Sequence, residues 1–127
     1  MIFACVHSAG RSQMAAAFYS QLVGAGLGMA AGTEPADRVH PEVVATMHDL
    51  GIDVSIASPQ LLTVELARTA DRLVTMGCGE KCPWVPGLPV EEWSIPDPKG
   101  QPAERVAEIR DTIHDQVRSL VARLAAR

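Results

Sequence analysis

The stretch MIFACVHSAGRSQMAAAF, residues 1–18, decides how this chain folds and where its chemistry sits. An apolar run ends at Cys5, and Arg11 follows six positions later with small or turn-prone residues between. Residues 2–6 read as a short buried strand, and from residue 11 to about residue 23 the run RSQMAAAFYSQLV is rich in good helix formers. The order is strand, tight loop, helix, with a thiol at the strand end and a guanidinium at the helix start. In open parallel α/β sheets, ligands bind at the carboxyl ends of strands. A loop there can turn successive backbone N–H groups inward as an anion-binding nest, and the helix N-terminus adds the positive end of its dipole. The candidate oxyanion-binding residues are therefore Val6, His7, Ser8, Ala9, Gly10, Arg11 and Ser12, with His7 contributing its backbone N–H alone. Gly10 permits a backbone geometry that a Cβ resists, Ala9 is small enough for close approach, and Arg11 offers a planar, two-pronged donor. The same field favours the thiolate form of a cysteine at the strand end. Ser12 can donate a further hydrogen bond to the sulfur. The competing reading is a buried cysteine that ends a strand beside an ordinary helix-capping loop.

Outward from this loop, GAGLG at 24–28 breaks the helix and MAAGTE at 29–34 is a second strand candidate. Pro41 suits the first turn of a helix running to about Leu50, where Gly51 stops it. GIDVS at 51–55 reads as a turn and a short extended piece, PQLLTVELART at 59–69 as a short helix, and DRLVTM at 71–76 as a clear strand. GCGEKCPWVPGLP at 77–89, with three prolines and three glycines, is a loop. VEEWSI at 90–95 is extended, PDPKGQP at 96–102 is a turn, and residues 103–127 form a long amphipathic helix. Strands alternating with helices predict the α/β class: an open parallel sheet covered on both faces, in a single domain over residues 1–127.

The bulk properties narrow the function. A formal charge of −4 argues against a nucleic-acid partner, and no basic run suggests a membrane surface. No apolar stretch approaches the ~20 residues needed to span a bilayer, and the first residues lack the pattern of a signal peptide. A cytoplasmic location is expected. In a reducing compartment a structural disulfide is disfavoured, and three cysteines make an odd set for a disulfide framework.

Asp97, in SIPDPKG, lies just after the last extended piece. Removing oxygen from a tetrahedral oxyanion needs a proton for the leaving group, which a carboxylic acid over the loop can supply. Asp-Pro-x-Gly is also a common turn sequence, and the two readings are compatible. Cys78 and Cys82 follow the third strand candidate in MGCGEKCPW. Gly77 and Gly79 give Cys78 backbone freedom, and Pro83 stops a helix from locking Cys82. Alternatively, Cys78 is a core residue and Cys82 an exposed spectator, or the pair is half of a zinc site. His7, His40, His48 and His114 form no ligand-spaced cluster, so no metal is expected. No flavin or nicotinamide site is visible, so no cofactor is expected either.

CVHSAGRSQMA at 5–15 resembles the catalytic loop of arsenate reductases built on the low-molecular-weight protein tyrosine phosphatase fold. The likeness extends through AGTEPADRVHPEVVATMHDLGIDVS at 31–55, DRLVTMGC at 71–78 and WSIPDP at 93–98. It implies a four-stranded parallel sheet flanked by helices, with Cys5 as nucleophile, Arg11 as anion binder and Asp97 as general acid. It also implies that Cys78 is the first resolving thiol and Cys82 the shuttle of a two-electron thiol exchange. Arsenate is then the substrate, phosphate a weakly competing anion, and thioredoxin the electron donor to a monomeric enzyme. A mycothiol and mycoredoxin route, or a glutathione and glutaredoxin route, is the alternative. Three residues separate Cys78 from Cys82, a closer spacing than in most thioredoxin-linked members. Ser8 stands where many members have asparagine and Ala16 where some have an acidic residue. In some members those positions help to bind potassium, so no potassium site is expected.

The runner-up is a low-molecular-weight phosphatase using the same Cys5, Arg11 and Asp97. Against it, DPKG lacks aromatic residues after the acid, and the loop lacks the second cysteine common in those enzymes. A third reading, from another class, is a sensor domain that only binds phosphate or arsenate.

Overall fold

The computed structural model describes residues 1–77 and 85–125. Its elements run β1 (Ile2–Cys5), α1 (Arg11–Val23), β2 (Met29–Gly32), α2 (Pro41–His48), α3 (Val64–Ala67), β3 (Leu73–Thr75), β4 (Val90–Glu92) and α4 (Ala103–Ala125). The strands form one sheet in the order β2-β1-β3-β4. Every neighbouring pair is parallel, as the alternation of elements predicts. Cys5 is in register with Gly32, Ala4 with Thr75, and Thr75 with Glu92. Because all four strands point the same way, the loops that follow them emerge at one edge of the sheet.

β1 is buried along its whole length, as a central parallel strand must be when helices cover both faces. Its side chains alternate. Phe3 and Cys5 face a large core with Met14, Phe18, Met47, Val74, Met76, Trp93 and Ile113. Ile2 and Ala4 face a smaller one with Ala31, Leu62, Ala67 and Leu73. On α4, Val106, Ile109, Ile113, Val117 and Leu120 recur at helical spacing and make one buried stripe. That stripe packs on α1, where the His114 ring stacks on Phe18 with centroids 4.1 Å apart.

Several boundaries differ from those expected, and β2, β3 and β4 are shorter, at Met29–Gly32, Leu73–Thr75 and Val90–Glu92. β1 ends at Cys5 rather than residue 6, and α2 ends at His48 rather than Leu50. The expected helix over 59–69 shrinks to Val64–Ala67, capped by Thr63 Oγ1 accepting the Leu66 N–H at 3.0 Å. The residues before it are extended because their backbone is used elsewhere. The Gly32 N–H donates to Gln60 O at 2.9 Å, and the Leu62 N–H donates to Gly32 O at 2.8 Å. A short segment thus clips onto the end of β2. No helix among the described residues is long and apolar enough to cross a membrane.

Gly32 is wedged against the loop after β1. A Cβ there would lie 2.5 Å from Val6 O and 2.7 Å from Ser8 N, both backbone atoms. Gly32→Ala is expected to destabilise the protein by about 1–3 kcal/mol, as overpacking does. A thermal melt checks this, and an unchanged midpoint would mean that the loop has room to move aside.

Candidate active site

Cys5 ends the central strand and is 2 % exposed. Its Sγ lies 3.2 Å from Ser12 Oγ, in the first turn of α1. The thiol donates in this bond, and the hydroxyl becomes the donor once the sulfur is ionised. Between these two residues the chain makes a tight loop whose backbone hydrogen bonds can be fully accounted for.

Every carbonyl from Cys5 to Gly10 accepts a hydrogen bond from outside the loop's concave side. The N–H groups of Thr33, Glu34, Ala36, His40 and Met14 donate to the carbonyls of Cys5, Val6, His7, Ala9 and Gly10, at 2.8–3.3 Å. The sixth carbonyl, that of Ser8, accepts from the side-chain amide Nε2 of Gln13 at 2.8 Å. By contrast, no backbone N–H from Val6 to Ser12 donates to an acceptor among the described residues. Ser8 has φ +53°, the left-handed conformation that turns consecutive N–H groups toward a common point. The carbonyls are turned away and the donors are left over, which is the requirement for holding an anion.

Arg11 is 8 % exposed and held in place from two sides. Its Nη1 donates to Ile95 O at 3.0 Å, which ties the loop to the segment after β4. Gly77 makes room for the guanidinium: a Cβ there would stand 2.8 Å from Arg11 Nη1, and the residue's φ of +92° favours glycine besides. Arg11 Nη2 lies 4.0 Å from Asp97 Oδ2. The other oxygen of Asp97 accepts the Lys99 N–H at 3.0 Å, so one carboxylate both makes the turn and faces the loop. At Gly10 the demand is for space, since a Cβ would meet Pro98 Cγ at 3.2 Å and His40 Cδ2 at 3.7 Å.

The two rim histidines have side-chain roles that sequence reasoning did not assign. His7 Nδ1 is 3.2 Å from Glu34 O, so in the Nδ1–H tautomer it donates to that carbonyl and pins the loop to the segment after β2. Its ring lies edge-on to His40, with centroids 6.2 Å apart. Burial holds the His40 pKa below the usual imidazole value, against the opposing pull of the Glu42 and Asp97 carboxylates.

Cys5, Arg11, Ser12 and Asp97 therefore converge on one edge of the sheet. Cys78 and Cys82 lie outside the described residues. Gly32, Gly77, Ile95 and Gln13 support the site and were not foreseen in those roles. Gln13 carried a usable signal: it is the third residue of α1, where a glutamine side chain reaches back past the helix start. Among the described residues, no three His, Cys, Asp or Glu side chains converge as a metal-binding group. Chemically, the arrangement can seat a tetrahedral oxyanion on backbone donors and a guanidinium, with a thiol beneath it and a carboxyl group beside it.

Comparison with known proteins follows the same line. The family described as low molecular weight phosphotyrosine protein phosphatase matches residues 1–127. A Halobacterium salinarum protein, provisionally named an arsenate reductase, is 38% identical over 121 residues, covering 91% of this chain and 85% of the relative. The glutaredoxin arsenate reductase of Synechocystis sp. is 30% identical over 128 residues, covering 98% of each chain. The thioredoxin-dependent arsenate reductase of Corynebacterium glutamicum superposes with a TM-score of 0.84 at 35% identity. That match covers 98% of this chain, which spans 61% of the Corynebacterium chain.

Proposed function

The chain belongs to the low molecular weight phosphotyrosine protein phosphatase family, and on that footing we propose that it is an arsenate reductase working through a cysteine relay. The observation that carries this reading is the loop over Cys5, with its carbonyls engaged outward, its N–H groups left over and Arg11 fixed beside it. The named activities of the relatives from Halobacterium, Synechocystis and Corynebacterium support it.

In the proposed reaction, the loop N–H groups and Arg11 bind arsenate, and the Cys5 thiolate attacks arsenic. Asp97 gives a proton to the departing oxygen, which leaves as water. The Cys78 thiolate then attacks Cys5 Sγ. The sulfur–arsenic electron pair passes to arsenic, which leaves as arsenite, and a Cys5–Cys78 disulfide remains. Cys82 attacks Cys78, which frees Cys5 and carries the disulfide outward to a dithiol donor. Thioredoxin is the donor we favour. The Synechocystis relative's name makes a glutathione and glutaredoxin route the first alternative.

The test is arsenate-dependent turnover with thioredoxin, thioredoxin reductase and NADPH, comparing the parent with Cys82→Ser. The parent is expected to turn over, while the variant stops after about one equivalent of arsenite per enzyme. Turnover only with a low-molecular-weight thiol system would keep the reductase and replace the donor. The family match favours one other reading, phosphate-ester hydrolysis at the same cysteine. That reading wins if neither donor system yields arsenite while a phosphate ester is cleaved.

A further inference from the structure

Five of the six loop carbonyls from Cys5 to Gly10 are held by backbone N–H groups, so no side-chain substitution removes their partners. The exception is Ser8, whose carbonyl is held by the side chain of Gln13. Ser8 is also the residue in the left-handed conformation, φ +53°, and is fully buried. Its peptide is thus the one link of the loop in a costly conformation and also the one whose orientation depends on a side chain. The clip segment adds little on this side, since the Gln60 N–H reaches only Ser8 Oγ, at 3.5 Å.

The Ser8–Ala9 peptide is trans and planar, so its C=O and N–H point in opposite directions. With the carbonyl drawn toward Gln13 on α1, the Ala9 N–H is turned to the other side of the loop, where no described acceptor meets it. If the peptide flipped, that N–H would be exchanged for a carbonyl oxygen facing the bound anion. A donor would be lost and a repulsive dipole gained. Gln13 is 6 % exposed, and its amide is anchored by the first turn of a well-packed helix.

We infer that Gln13 is a positioning residue that locks the Ser8–Ala9 peptide with the Ala9 N–H directed at the substrate oxyanion. This rests on the anion-binding reading of the loop given above. Gln13 touches no reacting atom in this scheme. It acts through one peptide plane, and the remaining donors of the loop do not depend on it.

The experiment uses the full chain, with inorganic phosphate as the probe, in the parent, Gln13→Met and Gln13→Glu. Both variants keep the length of the side chain and lose the donor, and the second puts an acceptor in its place. Phosphate affinity is measured by calorimetry, and the backbone amides by two-dimensional NMR during the titration. The expected result is a roughly tenfold or greater loss of phosphate affinity, in line with one hydrogen bond to a charged group. The Ala9 amide should cease to respond to phosphate while the Arg11 and Ser12 amides still do. A merely structural role would weaken all loop responses together, and that outcome overturns the proposal. So does unchanged affinity with an intact Ala9 response. Should one variant fail to fold, the other carries the same readout. A parent whose loop amides ignore both phosphate and arsenate removes the anion-binding reading itself, and this inference with it.

Discussion

Cys5→Ser is expected to abolish arsenite formation, lowering turnover by roughly 10⁴-fold or more, as removal of a covalent nucleophile does. The variant should still bind phosphate, and this separation gives the experiment its value. The loop's carbonyls are held by Thr33, Glu34, Ala36, His40, Met14 and Gln13, none of which depends on the sulfur. The hydroxyl is smaller than the thiol and sits beside Ser12 Oγ, so the substitution fits the existing space. Arsenite release and calorimetric phosphate binding, measured on the same preparation, decide the matter. A variant that binds phosphate and releases no arsenite supports a nucleophilic sulfur in a preformed cradle. Undiminished turnover would move the chemistry to another residue, and unchanged cellular function without turnover would revive the sensor reading.

Arg11→Lys, though it keeps the charge, should lower kcat/KM by about 10²–10³-fold, the range for losing a preorganised donor to an oxyanion. A guanidinium spans two demands at once here. One arm donates to Ile95 O at 3.0 Å, and the group packs against Gly77, where even a methyl group would come within 2.8 Å of Nη1. An ammonium has neither the planar shape nor the second arm, so it cannot keep the Ile95 tie while presenting two parallel donors. The steady-state comparison checks this, and a change under about threefold would mean that the backbone donors alone hold the anion.

Much of this arrangement is legible in the sequence, because its decisive contacts are local or follow from sheet direction. Cys5, Arg11 and Ser12 lie within one strand, loop and helix, and α1 begins at Arg11 and ends at Val23 as its composition predicts. Asp97 is far along the chain, yet it follows β4, and parallel strands deliver such loops to a shared edge. What stays hidden depends on partners that the local sequence does not name. Gln60 to Leu62 sit among helix formers, but their extended form comes from Gly32, nearly thirty residues earlier. Gly32 and Gly77 look like ordinary loop punctuation. Their need for a missing side chain appears only when Val6 and Arg11 arrive beside them.

The sheet order has a further consequence, for how the protein reaches this state. β1 is the second strand of the sheet, flanked by β2 and β3, and its large core is closed by α4, the last element of the chain. Contacts between the earliest and latest segments place folding at the slower, non-local end of the range for small domains. During synthesis the cysteine-bearing loop emerges before α4, its final cover. Until α4 docks, Cys5 is the thiol of an incompletely packed chain, reactive with whatever the compartment offers. Cys5 becomes buried only once α4 has packed against the large core.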